Sequence, residues 1–590
     1  MDKNTVWAIV LSTIVIVVFM FIQMNFFAPT PTASTTTEQV AALPEETTIV
    51  ATEQNDKDLI QYVPTEEVLE EEHFVIETEK IKVTFTNRGG DIISYEIKEK
   101  SDVVQMAENI TATNRAFSIA LGGTDAAIIN DVFNVKQIDD YSIGFYRTFA
   151  TKNPDGTDAT FVLAKQYTFK PDDYMFRLDV TIDGDENFRG LAIGNTAYNL
   201  RTSPQIGPKY NPKNDKYEYR TFMSYSNDKK KKARLNPGQT RVFDKPYTWT
   251  GVAGKYFEII GIPLHHEAMQ DVLYYCPTMT DEHSDAQVFM TRAAISENQT
   301  NDVYYFYVGP RTEQVLKTYN HASDNSWSLS GLKLNDSLES SGILSWLEIF
   351  LKWCLELINK VIRNLGVDII ILTILIKILL FPLTKKSTLS TLKMQEVQPR
   401  MQEIQQKYKD QPDKMNMEMA KLYKETGFNP MSGCLPLLIQ FPLIFAMYNL
   451  FNNYFEFRGA EFIPGWIPDL SRGDSVYTLG FNLPLGMGNQ IRLLPVIYLV
   501  SQLIFSKITG TGSTAGSNGT QMKIMMYAMP IFFFFAFYNA PSGLLIYWTV
   551  SNVLQLFQQM ILNRVMKAKR AEMEKNKEEE KKVFVPRKKK

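Results

Sequence analysis

Cysteine is scarce in this 590-residue chain, and its three copies, Cys276, Cys354 and Cys434, lie far apart with no CxxC pair. That excludes a disulfide scaffold. Histidine is nearly as rare, and the adjacent pair His265 and His266 cannot share one helix face, so no zinc-type spacing exists and no metal site is expected. The chain has no GxxxxGK(S/T), no HExxH and no GxSxG after a strand. The usual carriers of nucleotide and hydrolytic chemistry are therefore missing, and a protein that is not an enzyme and binds no cofactor is expected. Net charge of one sign is lacking too, at −3 overall.

The distribution of charge is more informative than its sum. Arg363 to Lys590 carries 28 basic and 16 acidic side chains, net +12, and Met1 to Ile362 carries the remaining 34 and 49, net −15. Long apolar runs interrupt both halves, which excludes a wholly soluble protein. The first run, Val6 to Phe27, has the length of a bilayer span and exceeds the apolar core of a cleaved signal peptide, so residues 1–27 read as an anchor. Residues 28–72, rich in Thr, Pro, Ala and Glu without apolar periodicity, read as a disordered linker.

Residues 73–336 change to period-two patterning. Ile81, Val83 and Phe85 alternate with polar neighbours, Asn87-Arg88-Gly89-Gly90 supplies a turn, and Ile93, Tyr95 and Ile97 alternate again. Phe176, Leu178, Val180 and Ile182 repeat the pattern, and Val303 to Val308 forms an aromatic strand. The expectation is a large antiparallel β-sandwich. The Lys229 to Lys232 run inside it reads as a solvated loop.

Residues 341–363 carry a narrow polar stripe, with Glu348, Lys352 and Glu356 among Trp346, Phe350, Trp353 and Leu357, which fits a helix lying in a membrane interface. A core-facing helix of the β domain is the competing reading. Five further spans follow at 364–383, 431–451, 493–508, 522–538 and 542–562. Between them lie a predicted helical hairpin at 384–430, a loop at 452–492 and a Gly/Ser loop at 509–521, and the basic tail 563–590 follows. The hairpin holds nine Lys/Arg and the tail twelve, whereas Asn452 to Gln490 holds only Arg458 and Arg472. The positive-inside rule places the first two in the cytoplasm and the third outside, so six spans leave both termini cytoplasmic and the β domain external.

Lys377 is the outstanding candidate for function. A cation within a span costs at least about 2.5–3.5 kcal/mol, so it belongs in a bundle interior or wet cavity unless it snorkels to the interface. Thr373 lies one turn earlier on the same face. Gln440, Asn449, Gln502, Ser506, Asn552 and Gln555, beside Tyr547 and Trp548, supply polar groups that either line the same cavity or bond helix to helix. An unpaired buried cation among polar groups is a receptor for something negative. In the hairpin, Met401, Met415 and Met419 form either an adaptable binding surface or simple helix packing.

Three segments carry a family likeness. Asn429 to Pro442 (NPMSGCLPLLIQFP), Ala540 to Asn552 (APSGLLIYWTVSN) and Lys377 ahead of Phe381-Pro-Leu-Thr384 closely resemble the YidC membrane-protein insertases of the Oxa/Alb superfamily, over about Ser341 to Leu562. The first span and the β domain with Asn87-Arg-Gly-Gly-Asp-Ile92 resemble the Gram-negative form of that family. The resemblance implies an α-helical polytopic protein of the bacterial inner membrane, with six transmembrane helices, a five-helix insertase core and a large periplasmic domain. It implies a lipid-exposed hydrophilic groove, open to the cytoplasm and closed on the outer side, that takes up polar tails of client proteins. The implied partners are nascent membrane-protein clients, the Sec translocon, the ribosome and signal-recognition receptor, and membrane lipids, with no DNA. Lys377 stands where the family usually has a groove Arg. Thr373, Tyr547 and Trp548 match groove and client-contact positions, with Trp548 where a Tyr is common. The hairpin, with Lys385, Lys386, Lys393, Arg400, Met401, Met415 and Met419, and the tail match regions used for client or ribosome recruitment. The rival reading, a small-solute or anion transporter with Lys377 as its binding site, predicts inverted repeats, and the sequence shows no such symmetry.

Overall fold

The computed structural model describes residues 63–64, 70–99, 102–107, 111–153, 155–209, 218–244, 247–277, 286–338, 344–426, 435–509 and 517–583. The anchor 1–27, most of the linker, most of the loop 509–521 and the end of the tail lie outside them. The chain divides into two compact units, Ala33–Glu339 and a second made of Met1–Thr32 with Ser340–Lys590.

The first unit is built from antiparallel sheets of ten, five and four strands. Aromatic side chains at alternating positions form the layers between them. Phe85 of the four-stranded sheet meets Tyr167 of the ten-stranded sheet with ring centroids 4.9 Å apart. Tyr198 of the five-stranded sheet donates to Asp302 Oδ2 of the large sheet at 2.7 Å. Both smaller sheets thus cover the large one, as period-two burial requires.

Three local expectations need correction. Within the hairpin Ile81–Thr86 and Asp91–Glu99 the pairing shifts between Thr84↔Ser94 and Phe85↔Ile92. This bulge turns Ile92 into the core instead of Ile93, an insertion that strict alternation cannot register. The basic run is no loop. Lys229–Ala233 is a strand paired to Thr221–Ser226 at the end of the ten-stranded sheet. Asn227 and Asp228, at φ 49° and 59°, make the two-residue turn that joins them. Lysines on an edge strand oppose edge-to-edge pairing. The end of the supposed linker is not free either: Val63–Pro64 pairs with Phe149 and Ala150, and Asn87 holds the backbone of Glu70 and Glu72.

The Asn87–Gly90 turn is held by a buried ion triad. Asp91 accepts from Arg115 Nε at 2.8 Å and from Lys165 Nζ. Lys165 also donates to the carbonyls of Gly89 and Phe117, at 3.1 and 2.8 Å. A Cβ on Gly89, at φ +70°, would sit 2.6 Å from the Asp91 carboxylate, so glycine is required there.

The second unit is helical: α1 Ser345–Ile362, α2 Leu365–Lys407, α3 Pro412–Thr426, α4 Leu435–Asn453, α5 Leu494–Thr509, α6 Ser517–Ala536 and α7 Ser542–Val583. Asn364 starts α2 by accepting from Val367 N at 3.0 Å. Among the described residues one helical stretch, Leu365–Pro382, is both long and apolar enough to cross a membrane, and Leu494–Ile508 and Tyr527–Ala536 are shorter apolar stretches. The span and the following cytoplasmic segment expected from the sequence are one continuous helix, α2, which passes through Pro382 and Pro399. On α1, Leu351 and Leu355 are buried in the helical core, whereas Trp346, Phe350, Trp353 and Leu357 are exposed. An apolar face of α1 is thus left exposed.

Candidate substrate groove

Lys377 projects from α2 toward α7, where its ammonium donates to Gln555 Oε1 at 3.2 Å. Among the described residues it has no carboxylate partner. Gln555, Asn552 and Trp548 occupy one face of α7 by their spacing of three and four. Asn552 Nδ2 donates to Ser501 Oγ of α5 at 3.4 Å, and Gln502 Nε2 reaches Tyr498 Oη at 3.4 Å. A polar seam therefore runs between α2, α5 and α7, with Lys377 as its charge. Continuous apolar strips flank it: Leu375, Ile378 and Leu379 on α2, and Val553, Phe557 and Ile561 on α7, are exposed.

The other expected residues are placed as follows. Thr373 is fully buried one turn from Lys377, and its hydroxyl donates back to Ile369 O at 2.6 Å. Tyr547 and Trp548 are buried: Trp548 packs against Tyr498 and Phe537 at 5.7 and 4.6 Å, and Tyr547 against Phe451 at 6.2 Å. The Trp548 ring is reached only by parting those neighbours. Gln440 lies on α4, and its side chain is outside the described residues, as are those of Lys385, Lys386 and Lys393 on α2. Arg400 is exposed, and Met401 on α2 with Met415 and Met419 on α3 are partly exposed.

One end of the bundle is closed by residues 454–493. Asp474 Oδ2 accepts from Leu493 N and Leu494 N at 2.7 and 3.0 Å, a carboxylate at the positive start of α5, and from Trp466 Nε1 at 2.9 Å. Arg492 is buried and donates to Asp474 O at 2.9 Å and Asn539 Oδ1 at 3.2 Å. Ser542 at the start of α7 donates through its hydroxyl to Arg472 O at 2.7 Å. Phe457, Ile467 and Leu470 fill the core beneath. Past the other end of the seam, α2 and α7 continue for several turns as polar helices.

Sequence reasoning passed over two features here. The Asp474–Arg492 knot was hidden in a loop, although two charges flanking an apolar run were a usable signal. Asp368, in the first turn of α2, is fully buried, and neither carboxylate oxygen has a partner among the described residues. An acidic residue at the edge of a span was visible, but its enclosure was not.

A family model described as 60Kd inner membrane protein matches residues 357–570, and one described as YidC periplasmic domain matches 73–353. The membrane protein insertase YidC of Treponema denticola is 47% identical over 96% of this chain and 100% of its own length. That of Treponema pallidum is 43% identical, covering 96% of this chain and 99% of its own. A crystal structure of an active YidC insertase with its first transmembrane domain resolved is 18% identical at a TM-score of 0.34, covering 85% of this chain and 94% of that one. Identity of this extent along the whole length shows that the chain belongs to the YidC family of membrane protein insertases.

Proposed function

We propose that the chain inserts client proteins into the bacterial inner membrane by drawing a short polar segment of the client into the seam between α2, α5 and α7 while the client's apolar segment passes directly into lipid. In hydrocarbon every unpaired backbone or side-chain polar group costs several kcal/mol. A seam offering Lys377, Gln555 and Asn552 replaces part of the lost hydration, and the exposed apolar strips beside it leave a lateral exit. The observation that carries the reading is the half-buried Lys377 ammonium, held only by a neutral amide among the described residues. Such a cation has attraction to spare for an acidic client tail.

The closed end, with Asp474 and Arg492, faces the periplasm in this reading, and the polar extensions of α2 and α7 face the cytoplasm. Six spans with both termini cytoplasmic and the β unit periplasmic satisfy the distribution of basic residues. Arg400, Met401, Met415 and Met419, with Lys385, Lys386 and Lys393, then meet clients or ribosomes as they arrive, and the protein works alone or beside the Sec translocon. No observation favours the anion-transport alternative.

The test is protease protection of a single-span client with a short acidic tail, added to vesicles holding wild-type, Lys377→Arg or Lys377→Ala protein. Wild type and Lys377→Arg are expected to protect the tail above the lipid-only background, with Lys377→Ala well below them. Equal protection by all three retires Lys377 as the receptor, and no protection by folded wild type retires autonomous insertion.

A further inference from the structure

Within the segment that closes the bundle, one exposed element takes no part in the Asp474–Arg492 contacts or in the seam. Tyr477–Leu483 and Gly488–Ile491 form a two-stranded hairpin outside every larger sheet. Both of its faces are uncovered, with Tyr477 63%, Phe481 65% and Leu485 73% exposed. From Ser475 to Ile491 there is no charged side chain. At the tip the reversal places Leu485 itself at φ 59°, a conformation that a non-glycine residue rarely adopts, and leaves its side chain the most exposed of the three. A lone hairpin with exposed apolar side chains is marginal in water.

The hairpin is tied to the helix ends. Tyr538 Oη donates to Gln490 O at 3.0 Å, and Asn539 Nδ2 donates to Gly486 O at 3.0 Å. Tyr538 and Asn539 lie in the short connection between α6 and α7, so these bonds hold the hairpin where two helices leave the apolar layer. Tyr and Phe at that depth are favourable in a bilayer interface, and the missing charges remove the cost of desolvating any.

We infer that residues 476–491 are a lipid-dipping hairpin, seated in the interfacial zone of the outer leaflet beside the closed end of the bundle. This rests on the membrane reading proposed above. Its occupant is lipid, not protein, because the uncharged surface continues the exposed apolar side chains at the start of α5, Val496, Ile497 and Val500. The depth is bounded from both sides. Exposed apolar side chains pull the hairpin in, and the unpaired edges of its two strands keep it out of the hydrocarbon, where open sheet edges do not occur. With no charge on the element, its seating is independent of anionic lipid.

The experiment uses the full chain with Cys276, Cys354 and Cys434 replaced by Ser and a single cysteine at Phe481→Cys, labelled with a polarity-sensitive fluorophore and reconstituted into phosphatidylcholine vesicles. Spin-labelled lipids carry the quencher either near the headgroup or near the chain end. Leu485→Cys repeats the measurement in case one site tolerates the label poorly. Phe557→Cys on α7 reports the spans, and the exposed Lys152→Cys of the β unit reports water. The expected result is blue-shifted emission at 481 and 485, quenched more by the shallow probe than the deep one and unchanged when anionic lipid is added. Water-like emission at 481 and 485 with 557 quenched overturns the inference and leaves the spans standing. Blue-shifted emission without quenching also overturns it and assigns a protein partner. Loss of quenching at 557 brings down the membrane reading itself.

Discussion

Two enclosed lysines divide this molecule. Lys165 in the β unit is fully buried against Asp91, with two carbonyls completing its bonds, and Arg115 shares the same carboxylate. Lys377 in the helical unit has a single neutral partner among the described residues, Gln555. The side chain is the same, and its neighbours decide its role. A lysine whose charge and donors are all matched holds strands together and has nothing left for a ligand. A lysine left short of partners costs stability where it stands and keeps its attraction for an incoming anion.

The largest expected effect breaks the first member of that pair. Asp91→Asn leaves Lys165 and Arg115 buried without a counter-charge and should cost about 3–5 kcal/mol, read as a lowered denaturant midpoint of the β unit. An unchanged midpoint means that the triad is not holding the Asn87–Gly90 turn. Lys377→Ala should do the reverse: insertion of acidic-tailed clients falls roughly 10- to 150-fold, the worth of about 1.5–3 kcal/mol from a charged hydrogen bond, while thermal stability stays level or rises. A fall in stability as large as that of Asp91→Asn would make Lys377 a structural cation and erase the contrast. Gln555→Leu should change insertion only a few-fold, about 0.5–1.5 kcal/mol, and its effect should vanish in the Lys377→Ala background if the two act as one unit.

A third enclosed charge, Glu258 of the β unit, extends the comparison to pH. It bonds Arg311 Nε at 3.1 Å and Ser337 Oγ at 2.9 Å, yet complete burial pushes its pKa up to about 7 against the pull of Arg311. The folded state therefore keeps a proton that the unfolded state releases above about 4.5, and this group's contribution to stability falls as pH rises from about 4.5 to 7, then levels off. Glu258→Gln should flatten that portion of the melting temperature against pH profile. Parallel profiles for wild type and variant would assign the pH dependence elsewhere.

Much of the fold was legible because burial imposes a period. Alternation at Phe176–Ile182 marked a strand, and the narrow polar stripe of Ser345–Ile362 marked an amphipathic helix. What escaped has no periodic signature. The bulge that exchanges Ile93 for Ile92 depends on the partner strand, and the Lys229–Ala233 strand is set by an Asn-Asp turn and a neighbour that four lysines disguise. In the polar seam, Lys377 was conspicuous because a charge in an apolar run stands out. Its bond to Gln555 joins positions 178 residues apart, a pairing that no local pattern encodes.

The sequence by itself determined the class of molecule: apolar runs, basic loops and the NPMSGCLP and APSGLLIYW segments are local properties read residue by residue. Tertiary structure alone decided which charges are spent and which remain available. Lys165 is neutralised because Asp91 lies 74 residues upstream in sequence but adjacent in space, and Trp548 is enclosed because Tyr498 and Phe537 close over it. Electrostatic interaction and burial depend on distance through space, and chain order does not contain that distance until the strands and helices have packed.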